Sequence, residues 1–360
     1  MNTQERTLFY YQCKRYLSGS APQTPRETLL ELAESIGPET MPDIYGQGEY
    51  LQEFETEIAE LLEKEAAVFM ISGTMAQQCA LRIWADRKGC RNVAMHPLGH
   101  LEKHEDNAYH FMHNLNGILV GSSEHLITLE DLQNIKDPLF ALLLELPQRE
   151  LGGQLPDWDT LVTMTDWARE KGLINHLDGA RLWESTPFYK KSLAEITGLF
   201  DSVYVSFYKG LDGLSGSALA GPKDLIDEAK IWQHRHGGTL LRQFPYVISA
   251  RNGLQKKLSK MQTYYHQTLA FAEVLGTFPQ LTINPDPPHT NMMHVYVRGD
   301  KQKLEAKAQK IGEEEGVFMF FGLRDTAVPG CYMFEITVKD AGLEWTQEEV
   351  QELFDRWLNE

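Results

Sequence analysis

Two segments of this 360-residue chain put reactive side chains where a buried strand ends. The apolar run Ile174–Leu177 stops at Asp178, within His176-Leu177-Asp178-Gly179-Ala180-Arg181. A carboxylate at the carboxyl end of a strand lies where open α/β sheets bind ligands, and there it can keep a facing ring nitrogen protonated. Such a ring becomes an electron sink. Arg181, three residues on, offers a planar fork suited to a substrate carboxylate. Further along, Val203-Tyr204-Val205-Ser206-Phe207-Tyr208-Lys209-Gly210-Leu211 carries Lys209 from an apolar strand into a glycine-rich turn. Partial burial beside that strand lowers a lysine pKa, as an amine requires if it is to form a Schiff base near neutral pH.

Each residue taken singly also has a plainer role, since Asp commonly caps helices and Arg and Lys commonly sit at the surface. Order and spacing carry the weight: Asp-Gly-Ala-Arg, then a second strand ending in Lys-Gly-Leu, then Gly216-Ser217-Ala218-Leu219-Ala220-Gly221. The pattern resembles the threonine aldolase branch of the β-eliminating lyase family, within the aspartate-aminotransferase-like fold class of pyridoxal-phosphate enzymes. The resemblance implies pyridoxal 5'-phosphate as cofactor, Lys209 as its Schiff-base lysine, Asp178 on its pyridine nitrogen and Arg181 on the substrate carboxylate.

Ala66-Ala67-Val68-Phe69-Met70-Ile71-Ser72-Gly73-Thr74-Met75 reads as strand, tight turn, helix. A helix start of this kind frees backbone amides for a phosphate, with the Thr74 hydroxyl as a further donor. An ordinary helix cap has the same composition, and the resemblance decides for Gly73 and Thr74 as the phosphate cradle, with Ser206 supplementing it. The segment from His96 to His113 holds five histidines: His96, His100, His104, His110 and His113. A helix would align His96, His100 and His104 for a divalent metal, but Pro97 and Gly99 oppose a regular helix and no His-Glu-x-x-His pattern is present, so no metal site is expected. The resemblance instead matches His100 and Glu105 to a family histidine followed five residues later by glutamate. It implies that His100 stacks on the pyridine ring near the substrate β-hydroxyl, whereas His104 has no counterpart and reads as an exposed helix residue.

Asp43-Ile44-Tyr45-Gly46-Gln47-Gly48 is similar to a family loop near a shared subunit boundary, which implies a substrate-side role for Tyr45. Gly237-Gly238-Thr239-Leu240-Leu241-Arg242-Gln243 is similar to a stretch that approaches the cofactor phosphate, which implies that role for Arg242. Three departures surround the substrate. Tyr208 precedes Lys209 where the family has serine; Leu17-Ser18-Gly19-Ser20 keeps only Ser18 of an Arg-Ser-Asp-Thr segment; and no arginine falls in Phe334-Glu335-Ile336-Thr337, so Arg324 is the substitute for the second carboxylate-binding arginine.

A net charge of −17 argues against nucleic acid or an anionic membrane as the main partner. Cys13, Cys79, Cys90 and Cys331 are scattered, which fits a reducing cytoplasm, and the N-terminus carries no export signal. Residues 1–44 read as an N-terminal arm and 45–250 as a large cofactor domain with strands at Ala66–Ile71, Val93–Met95, Ile118–Val120, Phe140–Leu144, Ile174–Leu177 and Val203–Phe207. Such apolar strands alternating with helices predict an α/β fold, a mostly parallel sheet covered by helices on both faces. Residues 251–360 read as a smaller α+β C-terminal domain opening with a helix over Arg251–Leu275. The expected activity is cleavage of a β-hydroxy-α-amino acid, such as threonine or allo-threonine, to glycine and an aldehyde by a homo-oligomer, dimeric or tetrameric. A β-eliminating lyase acting on another amino acid is the alternative. Outside catalysis, a cofactor-keeping binding protein is the rival, which the retained Lys209, Asp178 and Arg181 oppose.

Overall fold

A computed structural model describes residues 3–359. By their internal contacts the described residues form two compact units: 29–150 with 155–259, and those up to 28 with 151–154 and those from 260 onward.

The first unit is built on seven strands, β1 (Ala66–Met70), β2 (Asn92–Met95), β3 (Asn116–Leu119), β4 (Ala141–Glu145), β5 (Ile174–Gly179), β6 (Ser202–Ser206) and β7 (Ser217–Gly221). Their order across the sheet is β1-β7-β6-β5-β4-β2-β3. The five strands β2 to β6 run parallel, and β7 is antiparallel to both β1 and β6. Every residue of β5, β6 and β7 is buried, the signature of a sheet covered on both faces, as expected. Strand β7 was not among the expected strands. Its Ser-Ala-Leu-Ala-Gly sequence lacks the β-branched residues that favour strands, and pairing on both edges imposes the conformation.

The strand ends matter because helices begin there. The helix following β1, α1 (Gly73–Lys88), is capped by Ser72, whose hydroxyl accepts the Met75 N–H at 3.3 Å. It ends on Gly89 in the left-handed conformation, with Arg87 and Lys88 complementing its negative end. Beneath it a buried polar chain fixes helix to sheet. Trp84 Nε1–H donates to Ser202 Oγ at 2.9 Å, and His176 bridges Ser202 Oγ (2.7 Å) and Gln77 Oε1 (2.6 Å). Burial holds the His176 imidazole neutral by pushing its pKa down to about 3.

The histidine-rich segment forms two short helices, α2 (His100–His104) and α3 (Ala108–His113). Asp106 and Asn107, at φ 48° and 57°, break the run with left-handed backbone that these residue types tolerate. His96 precedes α2 and its Nε2 meets the His125 carbonyl at 2.9 Å. Among the described residues no group of three or more His, Cys, Asp or Glu could hold a metal ion.

The second unit has a four-stranded antiparallel sheet of Arg324–Asp325, Cys331–Thr337, Met292–Arg298 and Leu281–Asn284, in that order, with the helices Met261–Leu275, Lys301–Glu315 and Gln347–Asn359. Its core gathers Phe271, Met293, Val295, Phe334, Phe354 and Trp357. Residues from the chain start join it: Arg15–Tyr16 pairs in parallel with Val317–Phe318, and Leu17 enters the core. The helix expected over Arg251–Leu275 is instead two, Phe244–Lys257 and Met261–Leu275, separated by a 3-10 stretch at Leu258–Lys260 that no glycine or proline announces. No described helix is long and apolar enough to cross a membrane.

Candidate active site

Three neighbouring parallel strands deliver their carboxyl ends to one place. Asp178, near the end of β5, lies in register with Glu145, the last residue of β4. Asp178 is 1% exposed, and its Oδ1 accepts the Ala180 N–H at 3.1 Å. Glu145 Oε2 accepts the His100 N–H at 3.0 Å and a Gln148 side-chain N–H at 3.3 Å, while Oε1 accepts the Arg149 N–H at 3.2 Å.

Two buried carboxyls this close cannot both ionise cheaply. Burial, reinforced by Asp178, pushes the Glu145 carboxyl up to about 7. Burial also raises Asp178, but Lys209 and His100 face it and favour its charged form. Burial thus raises both carboxyls, while the Lys209 and His100 charges act against that rise at Asp178.

His100, Glu145, Arg181 and Lys209 line one cleft, together with His104 and Glu150. His100 is held at both ends of its residue. Its backbone N–H is fixed by Glu145, and its Nδ1 meets Glu105 Oε1 at 3.0 Å. Glu105 in turn accepts a Gln78 N–H at 2.8 Å in a buried pair.

Lys209 follows β6 in a turn whose geometry its neighbours set. Ser206 Oγ accepts the Tyr208 N–H at 3.3 Å, and the Ser206 carbonyl accepts Trp183 Nε1–H at 2.8 Å. Gly210 lies against Glu184, so that a Cβ there would come within 2.6 Å of Glu184 Oε1. The same Oε1 accepts from Arg181 Nη1 at 3.4 Å.

On the β6 face toward α1, Tyr204 points its hydroxyl at Gly73, where a Cβ would sit 1.9 Å from that oxygen. Gly73 is thus the first residue of α1 because the Tyr204 hydroxyl occupies the space any side chain would need. Tyr204 hydrogen-bonds Tyr208, and burial, Tyr208 and Asp178 all raise its pKa well above the ordinary phenol value.

These residues fit pyridoxal phosphate. A buried carboxylate with a lysine facing it, an imidazole held beside it and a 16-residue helix opening on Gly73 and Thr74 supply a ring partner, an amine and an anion cradle.

The structure gathers Lys209, His100 and Arg181 on one cleft, and it brings Lys209 and His100 near Asp178. Tyr45 and Arg242 form a patch of their own. The Tyr45 N–H donates to the Leu241 carbonyl at 3.2 Å, and Arg242 Nη1 to the Asp43 carbonyl at 2.7 Å. Asp43 Oδ1 clamps the same loops by accepting the Gln243 and Phe244 N–H groups, each at 2.8 Å. Ser18 and Arg324 belong to the other unit. There Ser18 Oγ accepts the Thr337 N–H at 2.8 Å, and Arg324 lies on an exposed edge strand opposite Met333. Glu145, His104 and Tyr204 were not anticipated in the site. Glu145 carries the same signal as Asp178, an apolar strand ending in a carboxylate.

The parallel sheet with its antiparallel strand, the lysine after β6 and the carboxylate at the end of β5 together define a class of lyase. The chain belongs to the β-eliminating lyase family, whose pattern matches residues 39–300. It is 41% identical to a Listeria monocytogenes protein provisionally named L-allo-threonine aldolase, whose solved structure superposes with a TM-score of 0.94 over 99% of this chain and 98% of that one. A structure from Exiguobacterium sp., provisionally named aromatic amino acid beta-eliminating lyase/threonine aldolase, is 39% identical with a TM-score of 0.93 over 98% of each chain. The low-specificity L-threonine aldolase 1 of Arabidopsis thaliana is 25% identical over 78% of this chain and 81% of its own length.

Proposed function

We propose that the protein is a pyridoxal-phosphate-dependent aldolase that cleaves a β-hydroxy-α-amino acid of the threonine or allo-threonine kind to glycine and an aldehyde. One observation carries the reading: Lys209, His100 and Arg181 line a single cleft, and Asp178 is buried where Lys209 and His100 both act on its charge. Lys209 Nζ would hold the cofactor covalently. Asp178 would keep the ring nitrogen protonated, His100 would pack on the ring, and Gly73, Thr74 and Ser206 would hold the phosphate. Arg181, steadied by Glu184, takes the substrate carboxylate. When bound, the cofactor supplies an electron sink for the pair released as the Cα–Cβ bond breaks.

Incubation with threonine, allo-threonine and phenylserine, against tyrosine, tryptophan and serine, separates aldol cleavage from β-elimination. Aldehyde with equimolar glycine is the expected product of the first set. Ammonia release without aldehyde would replace this reading with the β-eliminating one.

The protein works as a homo-oligomer of at least two copies, with Tyr45 and Arg242 serving a neighbour's site. Met41, Ile44, Tyr45 and Leu241 support this, for all four are exposed apolar or aromatic side chains, between 53% and 76% accessible. Sedimentation as a 41.1 kDa monomer at micromolar concentration would refute it.

A further inference from the structure

We infer that His104, rather than His100, takes the proton of the substrate β-hydroxyl, an assignment that rests on the aldolase reading above. The cleft contains two histidine–carboxylate pairs, not one. His100 is bound through Nδ1 to Glu105 Oε1 at 3.0 Å, and His104 through Nε2 to Glu150 Oε1 at 3.0 Å. Their ring centroids lie 5.3 Å apart, one helical turn separating them on the same face of α2. Both residues line the cleft that holds Lys209 and Arg181.

The two imidazoles differ in what they are free to do. His100 is fixed by its backbone as well as its ring, and its carboxylate partner Glu105 has a side chain only 1% exposed. That arrangement suits a flat surface held against another ring. His104 is 41% exposed at the side chain, so it can return a proton to solvent after each turnover. An ionised carboxylate only accepts hydrogen bonds, so in the neutral imidazole the pairing places the His104 N–H on Nε2 and leaves the lone pair on Nδ1. Glu150 is itself steadied by Arg149, whose Nη1 donates to the same Oε1 at 3.1 Å. A base oriented by a carboxylate, with its other nitrogen unprotonated, is the arrangement that general-base catalysis requires. The titratable groups around it are His100, Glu145, Arg149, Glu150, Arg181 and Lys209.

In the step, the β-hydroxyl proton passes to His104 Nδ1 and the O–H pair becomes the second C–O bond of the aldehyde. The Cα–Cβ bond breaks, its pair remains on the Cα side, and Cα takes up one proton to give glycine while His104 loses one. No oxidant or further reactant is needed.

The test is His104→Gln, with His104→Asn as a second variant. Exchange of the glycine α-proton with solvent deuterium needs Lys209 and Arg181 but no base for a hydroxyl. The expected result is an unchanged cofactor absorbance band and titration, glycine exchange at the wild-type rate, and kcat for cleavage reduced about 10²–10⁴-fold with little change in KM. Wild-type cleavage in both variants, or exchange lost as fully as cleavage, overturns the assignment alone. Wild-type protein that exchanges glycine but releases no aldehyde from any β-hydroxy amino acid overturns the aldolase reading and this assignment with it.

Discussion

Replacing Lys209 with alanine is expected to abolish turnover while leaving a folded protein without the visible absorbance band of the wild type. The fold is expected to survive the change because the turn has supports besides the lysine side chain. It is set by backbone bonds, Phe207 N–H to the Gly216 carbonyl at 3.0 Å and Gly213 N–H to the Phe207 carbonyl at 2.8 Å, and by the burial of Phe207 and Leu211. Chemistry does not tolerate it, since among the described residues that line the cleft the other cations are guanidinium groups, which stay protonated and are not nucleophiles. Absorbance spectra and a thermal melt of the variant, side by side with wild type, check both halves. A visible band that survives in Lys209→Ala would remove the basis for the proposed cofactor anchor.

The second large effect is at Asp178. Asparagine keeps the shape and the hydrogen bond from the Ala180 N–H, yet it carries no charge and cannot hold a proton on a facing ring nitrogen. Removing one preorganised electrostatic stabiliser of this kind lowers kcat about 10²–10³-fold. Lys209 is untouched in this variant, so the visible band is expected to persist while turnover falls. That combination separates the two residues experimentally. An Asp178→Asn enzyme within a few-fold of wild-type kcat would place the functional charge elsewhere, with Glu145, its partner in register, as the next residue to replace.

Much of this site could be read before any coordinates. Asp178 and Lys209 stand at or just beyond the ends of apolar runs, and it is their order and spacing that read as strands ending at a ligand crevice. Gly73 was legible as a turn, though not the reason for it: the occupant of the missing side-chain space is Tyr204, more than a hundred positions away in sequence. Within an apolar strand a tyrosine reads as packing, and only the fold shows that its hydroxyl meets Gly73 and Tyr208. His104 was passed over for a similar reason. Its partner Glu150 lies beyond β4, and no local spacing links the two. Strand β7 was hidden by composition, because small residues carry little β propensity and pairing with both neighbours decides their conformation.

Glu184 has a mechanical consequence. One carboxylate oxygen accepts from Arg181 and also fills the space a side chain at Gly210, the residue after Lys209, would need. Arg181 and the backbone that follows Lys209 are therefore packed on the same carboxylate. In the proposed reading, that shared packing sets the spacing offered to molecules that carry an amine and a carboxylate on the same carbon.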